Sequence, residues 1–224
     1  MSRSLLLVTG GSGAIGGAVC MRASARGLMP IVGYRQNADA ADAVAAKTGG
    51  FPLRLDLGSA PSIDAAVQTI EACQQPLAGI VLAASPYPEV GPFSKITVEQ
   101  MTLLWKVNVL GSQLLLAGLI RTCLRKQRSG CVVGVLSKAM GDGATAATAG
   151  LGAYVIAKHG MEGVLAATAA DYPWLRVRSV KPSFTESKML NIFDQRFLDL
   201  QRAKAPFATP DEIAAQIIVA GFPA

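Results

Sequence analysis

Six short apolar runs alternate with longer alanine-rich segments from one end of the chain to the other, and no other feature restricts the fold as much. LLLVT (5–9), PIVGY (30–34), PLRLD (52–56), GIVLAA (79–84), CVVGVLS (131–137) and LRVRSV (175–180) have the length, branching and flanking glycine or proline of strands. Helical periodicity occupies the intervals near 14–26, 38–47, 60–74, 97–127, 152–171 and 210–220. Strands that are apolar on both faces need cover on both faces. The pattern therefore predicts an α/β fold: a doubly wound parallel sheet of six or seven strands with helices on each side. The final stretch, IAAQIIVAGFPA, leaves room for at most a very short seventh strand from Ile217.

The 224 residues are 51% hydrophobic and 16% charged, enough for one sizeable core, and no compositional break marks a linker. One domain over 1–224 is expected. The net charge of +6 attracts anions, but the 21 Lys and Arg are scattered and aromatics make up only 6%. A nucleic-acid platform is not expected; a phosphate-bearing small molecule fits the charge. Cys20, Cys73, Cys123 and Cys131 form no CxxC pair and His159 is the sole histidine, so no metal spacing exists. Buried free thiols in a reducing compartment are expected. The run from Val109 to Ile120, broken by Ser112 and Gln113, is shorter than the roughly 20 apolar residues that a bilayer requires. With an N-terminus that reads as a strand, these features predict a soluble cytoplasmic protein without a membrane segment.

Two local patterns carry chemistry. TGGSGAIGGA follows the first strand and opens a helix, the place where a doubly wound sheet holds phosphate on free N–H groups and the helix dipole. Gly10 and Gly11 permit the tight turn, and Gly16 lets the helix approach closely; a plain tight turn is the competing reading. In AYVIAKHG, Tyr154 and Lys158 lie one helical turn apart, so that an ammonium can act on a phenol.

Together these patterns resemble the short-chain dehydrogenase/reductase family, and the resemblance extends over nearly the whole chain. That family has a Rossmann-like fold, a TGxxxGxG first turn and a YxxxK motif. Thr9, Gly10 and Gly16 match the turn, with Ala14 in place of the middle glycine; YVIAK matches the second motif. The resemblance implies a nicotinamide dinucleotide bound by the loop residues Thr9, Gly10, Ser12, Gly13 and Ile15. Tyr34 stands where NAD-preferring members carry an aspartate and Arg35 follows it, so NADP is implied, with NAD possible. A solvated arginine at a strand end is the alternative. Asp56 and Leu57 match the adenine-binding position, or Asp56 caps a helix, for which Ser59 also qualifies. The usual NNAG after the fourth strand is replaced by Leu82, Ala83, Ala84 and Ser85, whose backbone still lines the cofactor. Hydrogen bonds that brace this region must come from elsewhere.

The resemblance also assigns catalytic roles. Tyr154 is the proton donor or acceptor. Lys158 lowers the phenol pKa and holds the nicotinamide ribose, Ser137 polarises the carbonyl, and Asn108 braces a water leading to the lysine. Leu136 replaces the first of a usual serine pair. The 17 positions from Ser137 to Tyr154 exceed the common spacing, with GDGATAATAG as extra material from which Thr145 or Thr148 could compete. KPSFTESKML is similar to the PGxxxTxM stretch that closes over the nicotinamide, giving Pro182 and Ser187 cofactor contacts. Residues 184–206 would form a substrate lid, its Met189, Leu190, Ile192, Phe193, Phe197 and Leu198 suiting an apolar carbonyl compound. His159 is expected at the surface, and Arg121, Arg125, Lys126 and Arg128 at a helix end. The implied function is NAD(P)-dependent, preferably NADP(H)-dependent, interconversion of a ketone or 3-oxoacyl carbonyl and a secondary alcohol. The implied partners are that small molecule and a second copy, in a dimer packed through helices near 97–127 and 152–171. A dinucleotide-binding regulator without turnover is an alternative, and a sugar-nucleotide epimerase or dehydratase a further one.

Overall fold

A computed structural model describes residues 3–222. Six parallel strands, β1 (Leu5–Thr9), β2 (Met29–Tyr34), β3 (Phe51–Arg54), β4 (Leu77–Leu82), β5 (Cys131–Val135) and β6 (Arg176–Val180), form one sheet in the order β3-β2-β1-β4-β5-β6. The helices between them are α1 (Ala14–Ala25), α2 (Ala38–Thr48) and α3 (Ala60–Ala72), then α4 (Val98–Trp105), α5 (Ser112–Leu119) and α6 (Arg125–Gln127). They are followed by α7 (Gly152–Asp171), α8 (Gln195–Lys204) and α9 (Pro210–Gly221). The sheet is the expected one with six strands. Ile217 lies inside α9, where the capping box of Thr209 and Glu212 starts a helix rather than a short strand.

Alternation along β1 explains the two layers. Leu5 and Leu7 join the core with Ile63, Val67, Leu115 and Leu119 of α3 and α5. Leu6 and Val8 point to the other face, toward Val19 of α1 and Ile213 and Ile217 of α9. The central strand is therefore buried throughout. At the sheet edges the pattern relaxes, and Arg176, Arg178 and Ser179 of β6 are exposed.

Helices α4, α5 and α6 are joined by two π-type segments, Lys106–Gly111 and Ile120–Leu124, into one 30-residue helix, Val98–Gln127. By length and composition this helix could cross a membrane, which corrects the expectation of a segment too short to do so. Leu115, Leu116, Leu119 and Leu124 are buried in the core instead, and 61% of its most apolar window is buried inside the protein. The thiols differ from expectation as well: Cys20 and Cys131 are buried, whereas Cys73 and Cys123 are half-buried.

Candidate active site

Strand order reverses direction between β1 and β4, so the connections after these strands diverge and leave a crevice at their carboxyl ends. A cleft of about 860 Å³ occupies this position. A second cavity, about 700 Å³, lies near the amino ends of β1, β4, β5 and β6 and includes none of the candidate catalytic or cofactor-binding residues.

The glycine loop forms one end of the cleft. Gly10 sits at φ +68°, a conformation costly for other residues, and its carbonyl accepts from Gly13 N–H at 2.9 Å. A Cβ on Gly16 would lie 2.2 Å from Gly10 O, so this glycine is required by the turn itself rather than by the sheet. Gly11 and Gly33 are the glycines pressed against β1 and β2. Gly13 caps α1 without a side-chain acceptor, leaving first-turn N–H groups free at the cleft.

Thr9 has a different job from the one expected. It is 1% exposed and lies outside the cleft lining; its hydroxyl accepts from Ala83 N–H at 3.0 Å and Ala84 N–H at 3.1 Å. This hydrogen bonding ties the ends of β1 and β4 together and supplies the brace that the missing NNAG side chains do not. Tyr34 also lies outside the lining and packs against the core of the α1 side, whereas Arg35 enters the cleft. Ser59 caps α3, which leaves Asp56 free of that duty; the Asp56 carboxylate accepts from Gly58 N–H at 2.8 Å and faces the cleft beside Leu57.

At the other end, Ser137, Tyr154 and Lys158 line one wall, and Pro182 and Ser187 line the segment after β6. The Lys158 Nζ stands 5.5 Å from the Tyr154 ring centroid and donates to Val135 O of β5 at 2.8 Å. Both side chains are deeply buried. Burial pushes the Tyr154 phenol up to about 12, opposed by hydrogen bonding with Ser137, and brings the Lys158 amine down to about 7. The direction is opposite to the expected one: in the chain alone, desolvation outweighs the Ser137 hydrogen bond and the phenol is raised. Ser137 Oγ accepts from Ala139 N–H at 3.1 Å, which leaves its own hydrogen to be donated to the Tyr154 phenol oxygen or to a bound oxygen.

Asn108 lies in the first π-type segment and outside the lining. It is 0% exposed; Nδ2 donates to Leu104 O at 3.0 Å while Oδ1 has no hydrogen-bond partner among the described residues. Of the two threonines in the long Ser137–Tyr154 connection, Thr148 lines the cleft, and Thr145 closes a turn with Asp142. His159 is at the surface near Glu162. The remaining candidates, Gly10, Ser12, Gly13, Ile15, Ala83 and Ala84, all line the cleft.

Sequence reasoning missed Lys138, Lys188 and Tyr87, which also line it. The first two follow Ser137 and Ser187 directly, a signal that was present but unread. Within 184–206 the structure adds the 3-10 turn Lys188–Ile192 and α8, capped by Asp194. Phe184 contacts Phe193, Phe197 and Phe207, and Thr185 bridges to Ala208; Met189, Leu190, Ile192 and Phe193 line the cleft, whereas Phe197 and Leu198, expected there too, lie on α8 outside the lining.

Comparison with known proteins agrees with this geometry. A 2,5-dichloro-2,5-cyclohexadiene-1,4-diol dehydrogenase from Sphingobium indicum is 28% identical over 218 residues, covering 92% of this chain and 81% of that protein. A solved structure named ribose-5-phosphate isomerase, from Brucella melitensis 16M, is similar with a TM-score of 0.86 and 26% identity, over 97% of this chain and 84% of its own. A short chain dehydrogenase from Burkholderia cenocepacia J2315 in complex with NADP gives a TM-score of 0.85 at 22% identity, over 100% of this chain and 92% of its own, a likeness of fold. The isomerase name illustrates that a shared fold does not specify a reaction. The family model for short chain dehydrogenases matches residues 4–196, and the chain accordingly belongs to this family of NAD(P)-binding oxidoreductases acting on alcohol and carbonyl groups.

Proposed function

We propose that the protein carries out NADP(H)-dependent reduction of a ketone or 3-oxoacyl carbonyl to a secondary alcohol, or the reverse. The observation that carries this reading is the burial of Tyr154 and Lys158 in the same cleft as the glycine loop. The free first-turn N–H groups of α1 and the cradle around Gly10 and Gly13 suit a pyrophosphate, and Asp56 suits the adenine. Arg35 is exposed, bonded among the described residues only to the Gln36 side chain at 3.2 Å, and no carboxylate at position 34 repels a 2′-phosphate. The NADP complex of the Burkholderia cenocepacia neighbour is in keeping with this preference.

A bound nicotinamide supplies or accepts the hydride. The chain's own groups manage the oxygen and its proton. Ser137 donates its hydroxyl hydrogen to the substrate oxygen, where charge develops. Tyr154, held protonated by burial, gives its phenolic proton to that oxygen as the alcohol forms, and takes it back in oxidation. Lys158 spends one N–H on Val135 O and has others for the ribose hydroxyls and for returning a proton toward Tyr154. The unpartnered Asn108 Oδ1 can accept from a water that connects the amine to solvent.

The chain works as a single domain over 1–224, with 184–206 as a lid whose Met189, Leu190, Ile192 and Phe193 meet the substrate. It pairs with a second copy through α4, α5 and α7; exposed Leu103, Leu110 and Leu114 form a stripe that supports this.

The test is absorbance at 340 nm with NADPH or NADH over ketones, aldehydes and 3-oxoacyl thioesters. Tyr154→Phe should lower kcat by about 100-fold or more while NADPH still binds. Tight cofactor binding without consumption over the whole panel would favour the regulator reading, and absence of binding would end both.

A further inference from the structure

Charge is distributed unevenly along the cleft. Near the glycine loop, Arg35 is accompanied by Asp56. Around Ser137 and Tyr154 the lining contains Lys138, Lys158 and Lys188 and no Asp or Glu. Lys138 begins the 3-10 turn after Ser137, and its N–H donates to Pro182 O at 2.8 Å, which fixes the backbone that carries it. Lys188 begins the turn after Ser187 on the lid side. Neither forms an ion pair among the described residues. Nearby cations outside the lining are neutralised: Lys181 pairs with Glu162 at 2.9 Å, and Arg202 with Glu186 at 3.3 Å. The lid's Leu190, Ile192 and Phe193 give the same end of the cleft an apolar surface.

We propose that Lys138 and Lys188 select a substrate bearing an anionic group, carboxylate or phosphate, joined by an apolar body to the carbonyl presented to Ser137 and Tyr154. Two unpaired cations in a concave wall concentrate anions, and an apolar neighbourhood reduces the competition from water. Each contact alone is worth a few-fold because the lysines are exposed; together they give about tenfold. The preference is screened by salt.

The proposal rests on the reductase reading, so the experiment has one arm with turnover and one without. In the first, a straight-chain oxo acid, its methyl ester and the phosphate ester of the matching oxo alcohol are compared as substrates with NADPH. The acid or the phosphate should exceed the ester about tenfold in kcat/KM; which of the two leads identifies the anion. The double variant Lys138→Met, Lys188→Met should bring the ratio to within about twofold. In the second arm, octanoate and octanol are titrated by calorimetry into protein saturated with NADP. Octanoate should bind about tenfold tighter in the wild type at low salt, and equally in the double variant. Equal turnover of acid, phosphate and ester would overturn the proposal and leave the reductase reading standing. Octanoate selectivity without turnover of any compound would leave only anion binding by the two lysines and overturn both the substrate assignment and the reductase reading. If Lys188→Met weakens NADPH binding tenfold and leaves the acid-to-ester ratio intact, Lys188 serves the cofactor and the paired assignment fails.

Discussion

Lys158 permits a test that needs no substrate. The side chain is 2% exposed, and burial lowers its pKa from 10.5 to about 7. Unfolding restores the higher value. Between about pH 7 and 10.5 the unfolded chain therefore holds a proton that the folded chain has released, and stability contributed by this group rises with pH through that window. Below pH 7 the folded protein bears the whole cost of a buried ammonium. With a slope approaching 1.4 kcal/mol per pH unit, the folded state becomes more stable by about 3 kcal/mol between pH 6 and 9. Lys158→Met is of similar length and removes the titration, at a cost of about 1–3 kcal/mol for leaving Val135 O without its donor, a cost that does not vary with pH. Denaturant unfolding of both proteins from pH 6 to 9, without cofactor, yields a difference curve in which the other titrating groups cancel. The stability of the variant relative to the wild type should fall by about 3 kcal/mol across this range. A flat difference would show that the amine is not held in a desolvated site, and with it would go the account of how burial sets the Tyr154 and Lys158 protonation states.

Other substitutions probe the cofactor end. Thr9→Val leaves Ala83 and Ala84 N–H without their acceptor and should cost on the order of 2 kcal/mol in urea unfolding, with weaker NADPH binding by fluorescence titration. An unchanged stability would mean that the brace is dispensable. Gly16→Ala places a methyl 2.2 Å from Gly10 O, so the loop must shift; a loss of about 1–3 kcal/mol and a Kd for NADPH raised at least tenfold are expected by the same two assays. Arg35→Ala should reduce kcat/KM with NADPH by about 10- to 100-fold and affect NADH far less. Equal losses with both cofactors would remove Arg35 from phosphate recognition.

Much of this molecule is written locally. The strand from Leu5 to Thr9, the helix from Gly152 to Asp171 and the glycine turn between Gly10 and Gly16 depend on side-chain periodicity and backbone freedom within a few residues of sequence, and all three were legible before any coordinates. The YxxxK spacing likewise placed Tyr154 and Lys158 on one face of α7. Helix α8 was not legible, because its polar sequence is stabilised by the Asp194 cap and by packing of its Phe197 against Phe184 and Phe193 of the preceding loop.

The sequence by itself determined the order of elements, the glycine turn after β1 and the identity of the groups that could move a proton. Only the tertiary structure decided what those groups experience. The Thr9 hydroxyl was aimed at two N–H groups more than seventy residues away. Lys158 was enclosed against β5 until its pKa fell, and Lys138 and Lys188 were left lining the cleft without an ion pair among the described residues. The physical reason is that desolvation and charge pairing depend on the surroundings in space, which are assembled from remote parts of the chain, whereas periodicity and turn geometry are set by neighbours in sequence.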